Sequence, residues 1–523
     1  MKNLFTLCAL SIAALSMAQR SLPSDTLNIK NDRIRVGSEW LDYSVEVGTQ
    51  PVWDTDGSEI AYLQYTYYKR SGVNSETRPL IMSFNGGPGS GSVWMHLAYT
   101  GPKVLRVDDE GYPIQPYGVK DNPNTVLTDA DIVYINPVNT GYSRTIPLSG
   151  KEVDRKKFFG IDADITYLAE WLNTFVTRHN KWRAPKYIIG ESYGGTRVMG
   201  LALTLQESQW MYLNGVIMVS PADYQVLRVG GPVSEALNVP YYSAAAWYHN
   251  QLSSELQQLS LENLLEITEA FTVDTLLPAL AKGGSLSPGD RDQIASDIAR
   301  YTGLSKSDIL ALNLSVPTGY FWKNLLKDEG YTVGRLDSRY KGVDKVGVGT
   351  RPEYNSELTS WLHSFTPAIN YYYNEVLGFR TDVKYNMFGP VRPWEDDRVN
   401  TREDLRAAMA ENPYLHVLNQ SGYFDGATTY FNAKYTLWQI DPSGKFNDRL
   451  QFKGYESGHM MYLRAEDLKA ANEDLKRVIL QSHAKGNPAN YVRDFPLNNN
   501  LTPPRCKEYP FFSSYYSPVF RFN

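Results

Sequence analysis

The stretch Ile188-Ile189-Gly190-Glu191-Ser192-Tyr193-Gly194-Gly195 sets one serine between an acid and a phenol, fences it with glycines, and hangs it on a β-branched run. Residues 186–190 read as a buried strand and the residues after Ser192 as a helix. Gly190-x-Ser192-x-Gly194 at such a junction is the setting of a nucleophile elbow. There the serine occupies strained backbone on a sharp turn, and close approach of strand and helix demands glycines on either side. The turn lifts Oγ above the sheet edge. The backbone N–H of Tyr193 points to where negative charge develops, beside a helix N-terminus.

Outward from this junction the chain alternates strand and helix. Residues 79–84 (PLIMSF), 131–136 (DIVYIN) and 215–220 (GVIMVS) are short apolar runs, and residues 161–180 carry helical spacing through Ile165, Leu168, Leu172 and Phe175. That rhythm predicts a mostly parallel sheet covered by helices. Residues 24–75 instead alternate with a period of two around turn signals, as antiparallel hairpins do. From about 226 to 400 the rhythm breaks into helical segments near 254–270 and 291–302 with Gly- and Pro-rich loops, which reads as an inserted cap. It resumes with a helix at 402–411, strands at 414–420 and 449–453, and a long amphipathic helix at 464–482. The expected organisation is therefore 19–225 for the first part of the core, 226–400 for the cap, 401–490 for the second part, and 491–523 for an irregular aromatic tail.

The N-terminus, MKNLFTLCALSIAALSMAQR, has a positive start, an apolar centre and a small-x-small site at Ser16-Met17-Ala18. It reads as a signal peptide over 1–18, so the expected location is the periplasm or the exterior. No later run of about 18 apolar residues follows, so membrane insertion is not expected. Once the leader is cut, Cys506 is the one remaining cysteine of two. An exported chain of 523 residues without an internal disulfide points to a bacterium. A net charge of -5 without a basic block sets nucleic acid aside as a partner.

A serine hydroxyl needs a base, and in this architecture the acid and then the histidine follow it in the chain. Of seven histidines, His416, His459 and His483 lie in the returning part; His416 falls inside a strand and His483 late in a helix. His459, in ESGHMMY, follows the strand at 449–453 and is the candidate base. Asp425, directly after the strand at 414–420, is the candidate acid. Asp441 competes but lies beyond the next helix, and Asp425 taken alone reads rather as the N-cap of a helix starting near 426. The order Ser192, Asp425, His459 favours a triad. The glycine loop at 84–94 (FNGGPGSGSVW) has no Gly-Lys-Ser/Thr, so phosphate binding is not indicated; Gly86-Gly87 instead suits a second oxyanion N–H. No HExxH or Cys/His cluster implies a metal, and no cofactor is expected.

Together these residues resemble the serine carboxypeptidase family. The family's W-L-N-G-G-P-G-C-S-S aligns with residues 83–92, its D-S-P-V-G-T-G-F-S with 136–144, its G-E-S-Y-A-G with 190–195, and its G-D-x-D and G-G-H-M with 422–425 and 457–460. The resemblance implies an α/β-hydrolase fold with an inserted cap, a triad of Ser192, Asp425 and His459, and an oxyanion hole from the N–H groups of Gly87 and Tyr193. It implies that Asn85 and Glu191, beside Gly86, hold the C-terminal carboxylate of a peptide substrate, Glu191 as the protonated acid. Ser83 stands where the family has tryptophan, and Tyr99 where it has a second glutamate; the Tyr99 hydroxyl is the expected replacement donor. The expected function is an exported serine carboxypeptidase. An esterase, amidase or acyltransferase on the same fold is the alternative, and a silent binding protein a more distant one.

Overall fold

Apolar runs of five or six residues are too short for helices and too continuous for a one-sided sheet, so they end up at the centre of a parallel sheet with both faces covered. A computed structural model describes residues 21–227, 230–398 and 400–483. The signal-like segment and the aromatic tail lie outside them. The strands of the main sheet are β1 (Thr26–Val36), β2 (Glu39–Trp53), β3 (Glu59–Arg70), β4 (Leu80–Phe84), β5 (Asp131–Ile135), β6 (Arg144–Thr145), β7 (Lys186–Glu191), β8 (Gly215–Val219), β9 (His416–Gly422) and β10 (Leu450–Tyr455). Every residue of β4, β5, β7 and β8 is buried.

The spatial order is β1-β2-β3-β5-β4-β7-β8-β9-β10, with β6 beside β3. β1, β2 and β3 pair antiparallel, as does β3 with β5, whereas all pairs from β5 to β10 are parallel. The chain leaves β4 towards β5 on one side and leaves β7 towards β8 on the other. Between these neighbours the winding reverses, and the crevice at their C-terminal ends is where such sheets bind ligands. Those two ends carry Asn85-Gly86-Gly87 and Ser192. The order, the antiparallel entry and the elbow after β7 make this an α/β-hydrolase fold.

Alternate side chains of each strand go to opposite faces. Ile81 and Ile189 join one apolar cluster; Met82 and Ile188 join the other. The second is closed by α1 (Ile161–Arg178), α2 (Tyr193–Ser208) and α3 (Thr401–Glu411), through residues such as Trp171, Met199 and Met409. α4 (Tyr430–Ile440) lies between β9 and β10, and α5 (Ala465–Gln481) covers the first cluster with Leu475 and Val478.

Between β8 and β9 the chain makes a long helical excursion. Helices Val239–Tyr248, Leu261–Phe271 and Pro288–Thr302 surround a separate core containing Tyr241, Leu264, Ile298 and Phe321. Helix Ser356–Tyr371 behaves differently. Its Trp361, Phe365 and Ile369 sink into the main body beside Trp94 and Tyr68. Between these two parts, residues 334–340 return to the C-terminal end of the parallel strands. The Gly426 N–H donates to Arg335 O (3.0 Å), the His459 N–H to Leu336 O (2.6 Å), and the Ser338 N–H to Phe424 O (3.0 Å).

Three local expectations shift. The helix expected at 254–270 breaks into Ser254–Gln257 and Leu261–Phe271, because Ser260 is extended and its hydroxyl caps the Asn263 N–H. β9 starts at His416 and not at 414. The helix after Asp425 starts at Tyr430, because 425–429 form a turn first.

Candidate active site

Ser192 sits at the β7–α2 junction with φ 61° and ψ −124°, a conformation an L-residue holds only at a cost of about 1–3 kcal/mol. The turn is pinned by Ser192 N–H to Val219 O (3.0 Å) and by Gly195 N–H and Ala222 N–H to Ser192 O (2.8 and 3.0 Å). A β-carbon at Gly190 would lie 2.1 Å from Gly194 O, so the strand and helix meet through bare backbone. A β-carbon at Gly86 would lie 2.6 Å from Tyr193 N, which shows how closely the glycine loop after β4 is laid against the elbow. The two N–H groups expected to form the oxyanion hole therefore belong to touching segments, and Gly87 lines the same pocket as Ser192.

A buried network holds this junction from behind. Arg197 of α2 pairs with Asp164 of α1 (2.7 Å) and donates to Asn85 O (2.7 Å). The hydroxyls of Tyr193 and Tyr167 donate to the same carboxylate at 2.9 and 3.1 Å. Removing one partner of a buried pair leaves an uncompensated charge. Arg197→Met is therefore expected to lower the unfolding free energy by about 3–5 kcal/mol, read by urea denaturation. A loss below about 1 kcal/mol would show that the tyrosines alone satisfy Asp164.

The structure brings Asp425 and His459 together. His459 Nδ1 lies 2.6 Å from Asp425 Oδ2, and the Thr428 hydroxyl sits 2.8 Å from the same oxygen. Asp425 Oδ1 accepts the N–H groups of Ala427 and Thr428 at 2.8 and 3.2 Å. The residue thus caps its own turn with one oxygen and orients the imidazole with the other. Asp441 does neither for the histidine: it closes the turn after α4 by accepting from Lys445 N–H (2.9 Å) and Phe446 N–H (2.5 Å). Burial pushes the His459 ring down, but the Asp425 carboxylate beside it more than offsets this, and the ring sits above its ordinary value.

Asn85 and Glu191 also meet. The Asn85 amide donates to Glu191 Oε2, and so does the Tyr462 hydroxyl (2.8 Å). Burial pushes the Glu191 carboxyl up to about 7, against the nearby His459 charge. Both donors fall on Oε2, which leaves Oε1 to carry a proton.

Tyr99 does not join the pocket, contrary to the sequence expectation. Its ring is fully buried, stacked on Tyr462 with centroids 5.0 Å apart, and its hydroxyl donates to Gln420 Oε1 (2.6 Å) and Ala471 O (3.2 Å). The ring fills the layer behind Tyr462, so the hydroxyl is spent on β9 and α5. Tyr462, three residues beyond His459, is the donor that reaches Glu191. Ser83 is buried on β4 with its hydroxyl unpartnered and is not among the pocket-lining residues.

The pocket holds about 210 Å3. Asn85, Gly86, Gly87, Glu191, Ser192 and His459 form its reactive side; Trp94, Leu358, Trp361 and Phe388 form an apolar side. Among the described residues no hydrogen bond joins the Ser192 hydroxyl to the His459 ring, although both face this cavity; such bonds commonly tighten only when substrate is bound. Among the described residues no group of three or more His, Cys, Asp or Glu is placed to hold a metal, and no helix is long and apolar enough to cross a membrane. Thr428, Tyr462 and the aromatic wall were not found from sequence. The spacing of Tyr462 to His459 was the one available signal.

Comparison with known proteins bears on the first half of this site. A family model described as serine carboxypeptidase matches residues 52–276, a span that contains Asn85, Gly87 and Ser192 and ends before Asp425 and His459. "Serine carboxypeptidase-like 36" of Arabidopsis thaliana is 28% identical over 162 residues, 30% of this chain and 31% of the relative. "Retinoid-inducible serine carboxypeptidase" of Homo sapiens is 29% identical over 174 residues, 32% of this chain and 34% of the relative. The aligned stretches with the first curated relatives span between about a third and a half of those proteins. Among solved structures, a proline iminopeptidase of Mycobacterium smegmatis overlaps 87% of this chain and 100% of its own at 14% identity, with a TM-score of 0.33. Residues 52–276 thus carry the serine carboxypeptidase family signature, and the chain is distantly related to the plant and human proteins of that family.

Proposed function

We propose that this chain is an exported serine carboxypeptidase that releases C-terminal residues from peptides. The observation that carries the reading is the Asn85–Glu191 pair beside Ser192: a neutral amide and a carboxyl raised to about 7 by burial, both facing the nucleophile's pocket. A protonated Glu191 Oε1 can donate to a substrate carboxylate that an ionised one would repel. In the cycle that follows, His459 takes the Ser192 proton as Oγ attacks the scissile carbonyl. The N–H groups of Gly87 and Tyr193 hold the oxyanion, and His459 passes the proton to the leaving amine. Water then repeats the sequence on the acyl-enzyme. The signal-like segment at 1–18 supports a periplasmic or secreted setting.

The test is a matched peptide pair, free and amidated at the C-terminus, followed by mass spectrometry. The expected outcome is stepwise loss of single C-terminal residues from the free peptide only. Cleavage of simple esters with neither peptide cut would favour an esterase or acyltransferase. Tyr99 packs away from the pocket, and Glu191 is the one carboxyl among the described residues lining it, which favours that second reading.

The pH dependence has a definite sign. Glu191 binds a carboxylate while protonated, that is below about pH 7, and loses this as pH rises through its raised value. KM for free-carboxylate peptides is therefore expected to climb above neutrality while hydrolysis of neutral esters shows no such rise. Glu191→Gln should flatten that climb. A KM that stays level from pH 5 to pH 9 in the unaltered protein would remove Glu191 from carboxylate binding.

A further inference from the structure

The returning segment 334–340 brings to the Ser192 pocket a cation with which no described residue forms an ion pair. Arg335 is exposed, and its guanidinium makes no ion pair or hydrogen bond among the described residues. Its backbone is nonetheless held firmly. Its carbonyl accepts from Gly426, next to the catalytic acid, and the following carbonyl accepts from His459 itself. Arg335 lines two cavities at once. One is the pocket of Ser192 and His459, where its neighbours Leu336, Leu358 and Trp361 are apolar. The other, about 440 Å3, opens beside Gly426 and Ala427 and is walled by polar groups including Ser234, Asn238 and Asn432. Asn85 and Glu191 line only the first cavity.

Two acids stand nearby without an ion pair or hydrogen bond to this charge. Glu235 lines the second cavity unpaired with Arg335. Glu357 is buried under the segment, its Oε1 accepting the Leu336 N–H (2.8 Å); burial pushes its carboxyl up to about 7 and outweighs the opposing pull of the Arg335 charge. A guanidinium presents parallel N–H donors that match a carboxylate, and such pairs are roughly twice as strong as neutral hydrogen bonds.

We propose that Arg335 is a specificity-determining residue that selects substrates with a side-chain carboxylate on the acyl side of the scissile bond, seated where the catalytic pocket meets the neighbouring polar cavity. The choice of the acyl side rests on the reading that Asn85 and Glu191 take the C-terminal carboxylate on the leaving side.

The test compares kcat/KM for two substrate sets with the full-length protein, Arg335→Gln and Arg335→Glu. One set is p-nitrophenyl esters of N-acetyl-glutamate and N-acetyl-glutamine. The other is N-blocked dipeptides with glutamate or glutamine before a C-terminal leucine. The glutamate-to-glutamine ratio is internal to each variant, so a general loss of activity does not imitate the effect. The ratio is expected to be about tenfold or more in the unaltered protein, near one in Arg335→Gln, and inverted in Arg335→Glu. A ratio near one in the unaltered protein, or one that Arg335→Gln leaves in place, overturns the proposal. Equal losses by Arg335→Gln on both dipeptides would show that Arg335 reads the C-terminal carboxylate instead, which also overturns it. An Arg335-dependent ratio on the esters with no dipeptide cleaved would sink the carboxypeptidase reading and leave this inference standing.

Discussion

Ser192→Ala is expected to lower kcat/KM on any ester or peptide the protein hydrolyses by about 10⁴-fold or more, and to abolish covalent labelling by a fluorophosphonate. The change should be nearly silent in stability. The Ser192 hydroxyl has no hydrogen-bond partner among the described residues, and the strained φ of 61° is imposed on alanine as on serine by the backbone bonds to Val219, Gly195 and Ala222. Thermal unfolding alongside the assay separates a lost nucleophile from a lost fold. Retained labelling, or activity within tenfold of the unaltered protein, would place the nucleophile elsewhere.

Asp425→Asn should cost nearly as much, about 10⁴-fold in kcat, for a different reason. With aspartate, Oδ2 accepts the Nδ1 proton at 2.6 Å and leaves Nε2 free to take one from serine. An asparagine amide can donate to Nδ1, which moves the ring proton to Nε2 and removes the base. The substitution also sets two needs against each other. Oδ1 holds the Ala427 and Thr428 N–H groups, so an amide oxygen kept there must turn its NH₂ toward the imidazole. Asp441→Asn is the matched comparison. It should loosen the turn after α4 and leave the pH–rate profile of the base in place. A larger kcat loss in Asp441→Asn than in Asp425→Asn would reverse the assignment.

What could be read from sequence follows from how local the cause is. β4, β5, β7 and β8 are buried on both faces and were legible as bare apolar runs. The elbow was legible because its glycines and its strand are contiguous. Asp425 and His459, which pair in the structure, were picked out by their places after two strands, although the precise start of the helix beyond Asp425 was not, since a turn capped by Asp425 itself intervenes. Tyr99 was misjudged because a matching position in the chain does not fix where a hydroxyl points; stacking on Tyr462 decides that. Trp361, Phe388 and Arg335 lie in the long excursion between β8 and β9, and only the folded chain carries them to Ser192.

That excursion is not an exchangeable accessory. Its residues 334–340 are bonded through their own peptide groups to the segments bearing Asp425 and His459, and helix Ser356–Tyr371 is rooted in the main body. Trimming or transplanting it to alter selectivity would unseat the base along with the pocket wall. Diversity at this site is open to side-chain replacement on a fixed backbone, and closed to the wholesale swapping of lids.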